Sequence, residues 1–385
     1  MPVLRAEIDR VVGAYPKVPR VGTIGSHSAI DVADGAVAEG MTSVVLTERG
    51  RDAPYAQYFR TLKDGAGTRW RGCVDEVWEY PKFADVTAPD SQDRLRAAGV
   101  LLVPNRAFSS YVPLAAIEDE FRVPIVGSRA MLRIEERSER ENYYALLEAA
   151  GIRIPRAIAT PEAIDRLAIV KLPHAQRRLE RGFFTAASPE EYRRKSAELL
   201  RQGTIAADDL AHARIEEYVL GPVFNFNFFF SPLVPRAEGL ELLGVDERRE
   251  SNLDGMVRLP AAQQLELPAA TRIPEYRVVG HGTLTVRESM LDEVFRVGEK
   301  FVDAALARYP PGILGAFCLQ TCVDAEGHLA VFDVAARIGG GTNIHLGVGH
   351  PYGNALYRGP MSTGRRIARE VRLAAAAGRL AEIVT

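Results

Sequence analysis

Short apolar runs alternate with a helical pattern over the first 127 residues of the 385-residue chain. The helical pattern extends from Ser28 to Glu39 and lies between the first two runs, as in a βαβ unit. We therefore predict an N-terminal α/β domain built on a parallel sheet. The four predicted strands are VGTI (21–24), TSVVLTE (42–48), VLLVPN (100–105) and VPIVG (123–127).

The first run leads directly into GSHS, which places Gly25, Ser26 and His27 between the end of a strand and the start of a helix. Open α/β sheets bind ligands at this edge, and anions in particular, because free N–H groups and the helix dipole converge there. Either Ser26 or Ser28 can cap the helix. A single histidine in this position is most often structural, so His27 alone identifies no ligand.

Beyond residue 127 the pattern predicts a charged helix followed by longer strands. The helix ends at Gly151 and IRIP, which are typical stop signals. One of the strands carries Lys171, and another breaks at Gly221-Pro222 before it resumes with alternating Asn and Phe. The predicted elements are a helix at 133–151, strands at 168–173 and 214–230, and a strand followed by a polar loop at 241–260.

The segment QTCVDAEGHLAVFD predicts a hairpin whose turn lies between Asp324 and Gly327. A two-residue loop would set Gln320 directly opposite Asp333, whereas a four-residue loop would set them diagonally. Either register keeps both side chains on one face, within about 5 to 8 Å of each other. Two such oxygen ligands suit Mg²⁺, which completes its shell with water and phosphates. The alternative is an ordinary hairpin with a buried Asp.

The hairpin is followed by RIGGGTN, which favours the ligand-binding interpretation. Glycines can bring backbone N–H groups close to an anion. Arg337 offers a planar fork for phosphate or carboxylate.

Composition narrows the class of protein. The length predicts two or three domains, and the net charge of −2 without a basic run argues against a nucleic-acid partner. No apolar run approaches the roughly 18 residues of a membrane span, and the N-terminus is charged, so we expect a soluble, cytoplasmic protein without a membrane partner. The three cysteines make neither a disulfide framework nor a zinc motif. We interpret them as small buried apolar residues.

The order of the motifs resembles that of ATP-grasp enzymes: a lysine on a strand, then EEYVLG, then a carboxylate hairpin. Lys171 in isolation is better explained as a surface lysine on an edge strand. It indicates an ATP site only because the other two motifs follow it in this order. Almost the whole chain, from about residue 19 to RRIARE, resembles the archaeal PurP family of formate-dependent AICAR ligases, or FAICAR synthetases. The segments that carry the resemblance are GSHSAI, GRDAPY, RRESNLDGMVRLP, FCLQ and AARIGGGTN.

The resemblance implies an α/β fold and a set of functional residues. It implies ATP- and formate-dependent formylation of AICAR, with Mg²⁺ or Mn²⁺ as the metal, in a symmetric homo-oligomer. The expected organisation is an N-terminal substrate-binding domain at 1–127 and an ATP-grasp domain at 128–385 with an inserted lid at about 155–220. The implied residues are Gly25, Ser26, His27, Arg248 and Asn252 for the ribotide; Lys171, Arg181, Glu216, Glu217, Tyr218 and Val219 for ATP; Gln320 and Asp333 for the metal; and Arg337, with Lys171, for catalysis.

Three positions depart from the patterns of related enzymes. A glycine-rich lid is replaced by the arginine-rich HAQRRLERGFF, in which Arg177, Arg178 or Arg181 can contact phosphates. Ala107 stands, beside Arg106, where a substrate-contacting serine is common. Ala335 stands where many ATP-grasp enzymes have a third metal ligand, an asparagine, and this change is in keeping with the family. The changed lid and Ala107 leave open a ligase for another acid or ribotide. A non-catalytic nucleotide-binding paralogue is the second alternative, against which the retention of Lys171, Asp333 and Arg337 argues.

Overall fold

A four-stranded parallel sheet forms the N-terminal layer of the protein. The computed structural model describes residues 3–136, 139–172, 183–268 and 277–385. Three of the four predicted strands are confirmed, but VPIVG forms only single bridges, one of them from Ile125 to Leu102. The fourth strand is EVWEY, an edge strand that was not predicted because its two glutamates interrupt the apolar run. In spatial order the strands are β5 (Glu76–Tyr80), β2 (Ser43–Glu48), β1 (Arg20–Ile24) and β6 (Val100–Leu102).

The helix predicted after β1 is α2 (Ala29–Ala38), but neither serine caps it as expected. Ser28 is the N-cap residue with φ of 63°, and its hydroxyl donates to the Gly339 carbonyl instead of to the helix. The cap prediction is therefore wrong. The left-handed backbone turns the Ser28 side chain toward a loop more than 300 residues away along the chain.

A small antiparallel sheet lies within the segment predicted as a lid. Its core contains Val170, Ile215 and Tyr192. The arginines of the predicted phosphate lid, Arg177, Arg178 and Arg181, lie outside the described residues. The strands in spatial order are β7 (Ala157–Ile158), β10 (Arg214–Glu217), β8 (Ala168–Lys171) and β9 (Phe183–Ala186), accompanied by α7 (Pro189–Arg201) and α8 (Ala207–Ala211).

A five-stranded antiparallel sheet forms the centre of the molecule. Phe226, Phe228 and Phe317 on one of its faces pack with Phe301 of the long helix α11 (Leu291–Arg308) in a single apolar cluster. The alternating Asn and Phe residues of the central strand produce this apolar face. The strands in spatial order are β13 (Val278–Leu284), β12 (Leu240–Glu250), β11 (Val223–Phe230), β14 (Gly315–Val323) and β15 (Leu329–Ala335).

The predicted hairpin is β14–β15, and it pairs Gln320 directly with Asp333. Neither symmetric loop produces this register. Val323 pairs with Leu329 across a five-residue connection, and an extra residue in β15, Phe332, forms a bulge that shifts the ladder by one position.

Two helical predictions need correction. The stretch at 133–151 is not one helix: a 3₁₀ turn spans Ala130–Glu135, and α6 (Tyr143–Ala149) begins only after Asn142. The Asn142 side chain accepts from the backbone N–H of Tyr144 at 3.0 Å. Asn142 is therefore an N-cap at which a separate helix begins. The polar loop predicted after β12 begins with a helix, α9 (Ser251–Met256).

The C-terminal helices return to the N-terminal layer. Gly35 of α2 and Gly364 of α13 permit this packing, since a Cβ atom on Gly35 would lie 2.2 Å from the Gly364 backbone. The Thr385 N–H donates to the Ile125 carbonyl at 3.0 Å. The domain boundary at 127 stays a prediction. These helices are α12 (Pro351–Tyr357), α13 (Thr363–Ala376) and α14 (Leu380–Ile383).

The other described helices and strands are short, and two of the strands form a separate two-stranded sheet. Among the described residues, no helix is long and apolar enough to cross a membrane. The elements are α1 (Arg5–Gly13), β3 (Leu62–Lys63), β4 (Arg69–Arg71), α3 (Pro89–Ala97), α4 (Arg106–Tyr111), α5 (Leu114–Asp119) and α10 (Ala261–Glu266).

Candidate active site

Polar side chains from all five central strands share one face of the sheet. Residues that face each other across an antiparallel ladder point to the same side. The ladders pair Asp246 with Asn225, Asn225 with Gln320, and Gln320 with Asp333. This face lies opposite the phenylalanine core. Its polar residues are His281, Asp246, Arg248, Asn225, Asn227, Gln320 and Asp333.

Two cavities adjoin this face, and Arg248 lines both of them. The first has a volume of about 400 Å³ and the second about 100 Å³. The structure therefore separates the predicted residues into two groups with a shared arginine. Predicted residues lining the first cavity are Lys171, Glu216, Glu217, Tyr218 and Val219; those lining the second are His27, Gln320 and Arg337.

Lys171 is a buried member of an ion pair with Glu216 on the neighbouring strand β10. Its ammonium also donates to the Tyr144 hydroxyl at 2.8 Å, and that hydroxyl donates to Glu216 at 2.9 Å. Arg214 reaches the same carboxylate at 3.1 Å. Lys171 is thus not the surface lysine that its sequence position allowed, and its charge is compensated beside the first cavity.

The turn after β10 provides the edge of the first cavity. Glu217 accepts from the Arg156 backbone N–H at 3.0 Å, and the Tyr218 backbone N–H donates to Leu167 at 2.9 Å. The Glu217 carboxylate and the Tyr218 amide are therefore both engaged in holding the turn. Val219 follows at the cavity wall.

Gln320 and Asp333 lie directly opposite each other in the β14–β15 ladder, and Gln320 lines the second cavity. Both are buried, and Arg248 donates to the Gln320 amide oxygen. No cluster of three or more His, Cys, Asp and Glu ligands occurs among the described residues. A two-ligand set fits Mg²⁺, which is usually bound by one or two protein groups with waters and phosphates. A cation here would displace the Arg248 guanidinium from Gln320.

Arg337 is buried against Glu135, a residue that the sequence did not single out. The Arg337 guanidinium lies 3.2 Å from Glu135, which also accepts the Ala336 N–H at 2.9 Å and lies 3.5 Å from Arg106. One carboxylate therefore orients two arginines that line the second cavity.

The three glycines after Arg337 lie close to the polar sheet face. A Cβ atom on Gly339 would lie 2.7 Å from the Asn227 side chain, and one on Gly341 would lie 2.5 Å from Asp246 and 2.6 Å from His281. The glycines therefore bring this loop into contact with the polar cluster, a packing role beside the anion-binding role expected from the sequence.

The loop that carries His27 is held by Asn105. The Asn105 amide donates to the carbonyls of Ile24 at 2.7 Å and His27 at 3.1 Å, and its oxygen caps α4. The same residue therefore positions His27 and, at the start of α4, Arg106. Ala107 is buried in the apolar core beneath them.

The remaining predicted residues have different surroundings. Gly25 packs tightly, since a Cβ atom there would lie 2.8 Å from Tyr55. The Ser26 hydroxyl lies 3.5 Å from the His27 ring. Asn252 lies on α9, whose Leu253 lines the first cavity, whereas His27 lines the second.

The chain is similar along its whole length to archaeal enzymes of purine biosynthesis. It is 40% identical over 384 residues to the 5-formaminoimidazole-4-carboxamide-1-(β)-D-ribofuranosyl 5′-monophosphate synthetase of Methanothermobacter thermautotrophicus, covering 100% of this chain and 99% of that protein. The protein belongs to this synthetase family. The synthetase of Methanopyrus kandleri is also 40% identical, with 99% of each chain covered. Two domains of unknown function match residues 21–158 (DUF1246) and 191–385 (DUF1297).

Solved structures agree with the family and establish the fold. The IMP biosynthesis protein PurP from Thermococcus kodakaraensis is 28% identical with a TM-score of 0.70, covering 95% of this chain and 100% of that one. The ADP complex of purK, an N5-carboxyaminoimidazole ribonucleotide synthetase, is 12% identical with a TM-score of 0.56, covering 90% and 79%. The protein therefore has the predicted α/β ATP-grasp fold.

Several residues of this synthetase site escaped the sequence analysis. Asn225 and Asn227 lie in the N-F-N-F alternation of β11, whose period of two puts both on one face of a strand. Asp246 and His281 carried no such signal, because their meeting depends on the pairing of β12 with β13. Glu135 and Tyr144 lie in the charged stretch that was interpreted as one helix.

Proposed function

We propose that this protein catalyses the ATP-dependent formylation of AICAR by formate, giving FAICAR, ADP and phosphate. The observation that carries the proposal is the pair of cavities joined at Arg248. The first is lined by Lys171 and by Glu216 to Val219, which are expected for ATP, and the second is lined by His27, which is expected for the ribotide. The names of the full-length relatives support the same reaction.

The chemistry proceeds in two steps through formyl phosphate. Formate is a poor acyl donor because its oxygen is a poor leaving group. A formate oxygen therefore attacks the γ-phosphorus of ATP and ADP leaves. The AICAR amine then attacks the formyl carbon and phosphate leaves. This sequence needs positioning and charge neutralisation rather than a covalent nucleophile.

ATP is assigned to the first cavity. Lys171 would bind phosphate oxygens, taking them as partners in place of Glu216. The Tyr218 N–H donates to Leu167, so backbone contacts with adenine would come from the Tyr218 carbonyl and from Val219. Glu217 would face the ribose. Gln320 and Asp333 would hold Mg²⁺ or Mn²⁺, which neutralises phosphate charge when bound.

The ribotide and the transferring phosphoryl group are assigned to the second cavity. His27, with Gly25 and Ser26 in its loop, would contact the ribotide. Arg248 and Arg106 add positive charge for its phosphate. Arg337, oriented by Glu135, would stabilise charge on the phosphoryl group. Asn252 on α9 would reach the substrate from the side of the first cavity.

A coupled assay of ADP release, with mass analysis of the product, tests the proposal. We expect ADP release that requires both formate and AICAR, and a product heavier than AICAR by one formyl group. Acetate and other carboxylic acids serve as alternative donors. ADP release with a different acid, or none with formate, would contradict the assignment. The expected homo-oligomer is checked separately by light scattering.

A further inference from the structure

A histidine and an aspartate meet on the polar sheet face without an assigned role. The Nδ1 atom of His281 lies 2.8 Å from the Asp246 carboxylate. That carboxylate is buried and also accepts from Asn225 at 2.9 Å and Asn227 at 2.6 Å. Three donors therefore hold Asp246 in one orientation.

This arrangement determines which ring nitrogen of His281 carries the proton. An ionised carboxylate only accepts hydrogen bonds, so the Nδ1 atom must be the donor. In the neutral imidazole the Nε2 atom then carries the lone pair and can accept a proton. Asp246 would also stabilise the imidazolium formed by that transfer.

The Nε2 atom is directed toward the second cavity. A Cβ atom built on Gly340 would lie 3.7 Å from the His281 Nε2 atom and 3.8 Å from the His27 ring. Both histidines and Gly340 line this cavity. The Gly341 backbone packs against the Nδ1 side of the His281 ring. A Cβ atom built on Gly341 would lie 2.6 Å from that nitrogen and 2.5 Å from the Asp246 carboxylate.

The proposed reaction needs a proton acceptor at this place. An amine conjugated with an imidazole ring is a weak nucleophile, and its nitrogen gains positive charge as it attacks an acyl carbon. We propose that His281 is the general base of the amine step, with Asp246, Asn225 and Asn227 as positioning residues; this inference rests on the proposed function. The C–N bond forms, the bond from the formyl carbon to phosphate breaks, and the amine proton passes to the Nε2 atom. His281 then releases this proton to solvent.

The pH dependence of kcat/KM for AICAR tests the assignment, provided that the other ionisable groups near His281 are taken into account. They are Asp246 and Arg248 on β12, His27 after β1, Arg106 on α4 and Arg337 after β15. The arginines remain charged over the working range. His27 is the other histidine that lines this cavity, and the buried His345 interacts electrostatically with Asp246 from the segment after the glycines. An acidic limb in kcat/KM for AICAR that persists in His27→Gln and disappears in His281→Gln would identify His281.

Substitution of His281 should separate the two chemical steps. Formation of formyl phosphate is followed without AICAR, by formate-dependent exchange of ¹⁸O between bridging and non-bridging positions of ATP. In His281→Gln we expect FAICAR formation to fall at least about a hundredfold, the lower range for general base catalysis, while isotope exchange stays within about twofold. Retained exchange also shows that the variant is folded. Asp246→Asn should lower FAICAR formation in the same way. His328→Gln, whose side chain is 64% exposed, is the matched control.

Three outcomes would overturn the assignment. If exchange and FAICAR formation fall together, His281 does not serve the amine step. If only the KM for AICAR rises and the acidic limb remains, it is a binding residue. If the wild-type protein forms no FAICAR at all, the proposed function falls as well, and that result is distinguishable because it precedes any substitution.

Discussion

Lys171 and Glu216 form a buried ion pair across neighbouring strands of the small sheet, and the Tyr144 hydroxyl bonds to both. The lysine is 5% exposed and the glutamate 1%. Without Glu216 the buried Lys171 ammonium would lose its carboxylate partner, whereas Glu216 without Lys171 would keep its ion pair with Arg214. The pair therefore keeps a cation at the wall of the first cavity at a tolerable cost in folding energy.

The losses of stability caused by removing each partner of this pair should not be additive. Glu216→Gln should lower the free energy of unfolding by about 3 to 5 kcal/mol, because it leaves the buried Lys171 ammonium without its carboxylate. Lys171→Met should lower it less, because Arg214 still pairs with Glu216. The double variant should lose less than the sum. Urea denaturation of the four proteins measures the coupling. Glu190→Gln, which removes an exposed pair with Arg193, is the control and should change stability little. Additive losses would show that the two side chains do not interact.

The oxygen pair at Gln320 and Asp333 should be needed for turnover and not for folding. Asp333→Asn should lower ADP release at least about a hundredfold, on the scale of losing one charge-stabilising group. The expected unfolding curve is close to that of the wild type, since asparagine keeps the shape. Binding of Mn²⁺ in the presence of ATP, followed by electron paramagnetic resonance, provides a readout independent of activity. Normal Mn²⁺ binding and normal ADP release by this variant would remove the residue from the metal site.

Much of this fold was predictable because its signals are local. The apolar runs of β1 and β2 and the alternation in β11 indicate strands by themselves, and the hairpin pattern placed Gln320 beside Asp333. The register that pairs them was not predictable. The predicted two-residue and four-residue loops were both wrong, because the hairpin has a five-residue connection and a bulge at Phe332, and no local turn residue indicates that bulge.

The site contacts that escaped prediction join distant parts of the chain. Ser28 bonds to Gly339 rather than to its own helix, and Glu135 meets Arg337 some 202 residues further on. A single sequence does not indicate such partners, since nothing in the spacing relates them. The arginine lid expected to contact phosphates remains a prediction, because its residues lie outside the described part of the chain.

Two adjacent glycines should respond differently to alanine. In Gly341→Ala the new methyl group would lie 2.5 Å from Asp246 and 2.6 Å from His281, so that cluster must shift. We expect a loss of about 1 to 3 kcal/mol, as for other overpacked sites, together with reduced FAICAR formation. In Gly340→Ala the nearest atoms lie at 3.7 and 3.8 Å, an ordinary contact distance, and the fold should be stable. Thermal unfolding compares the two. Equal stability would show that the loop relaxes away from the sheet.

A pair of buried histidines in ring contact should make the fold sensitive to mild acid. The rings of His345 and His350 lie 3.7 Å apart between centroids, and both side chains are buried. Burial lowers the pKa of both imidazoles, that of His350 well below its ordinary value of 6.5. A positive charge on His345 would lower the pKa of its neighbour further.

The sign of the pH effect follows from where protons bind. In the unfolded chain both histidines gain protons as the pH falls through about 6.5. In the folded protein His350 stays neutral over this range and His345 gains its proton at a lower pH. The unfolded state then binds more protons, so the free energy of unfolding should fall, by about 1 kcal/mol between pH 8 and pH 6. Asp31 acts in the opposite direction, since burial raises its pKa to about 6. Protonation of Asp31 raises the free energy of unfolding mainly below pH 6. Above pH 6 the loss of stability caused by the two histidines is therefore the larger change.

Variants of the two groups separate these effects. His350→Gln can keep the hydrogen bond to the Thr363 hydroxyl, which is 2.7 Å from the ring nitrogen, but it cannot titrate. It should therefore flatten the decline between pH 8 and pH 6 even if it lowers stability at both. Asp31→Asn should leave that decline and steepen the loss below pH 6, because it removes the opposing group. His212→Gln, at an exposed histidine, is the control. Urea unfolding at each pH measures all four proteins, and an unchanged decline in His350→Gln would assign the acid sensitivity to other residues.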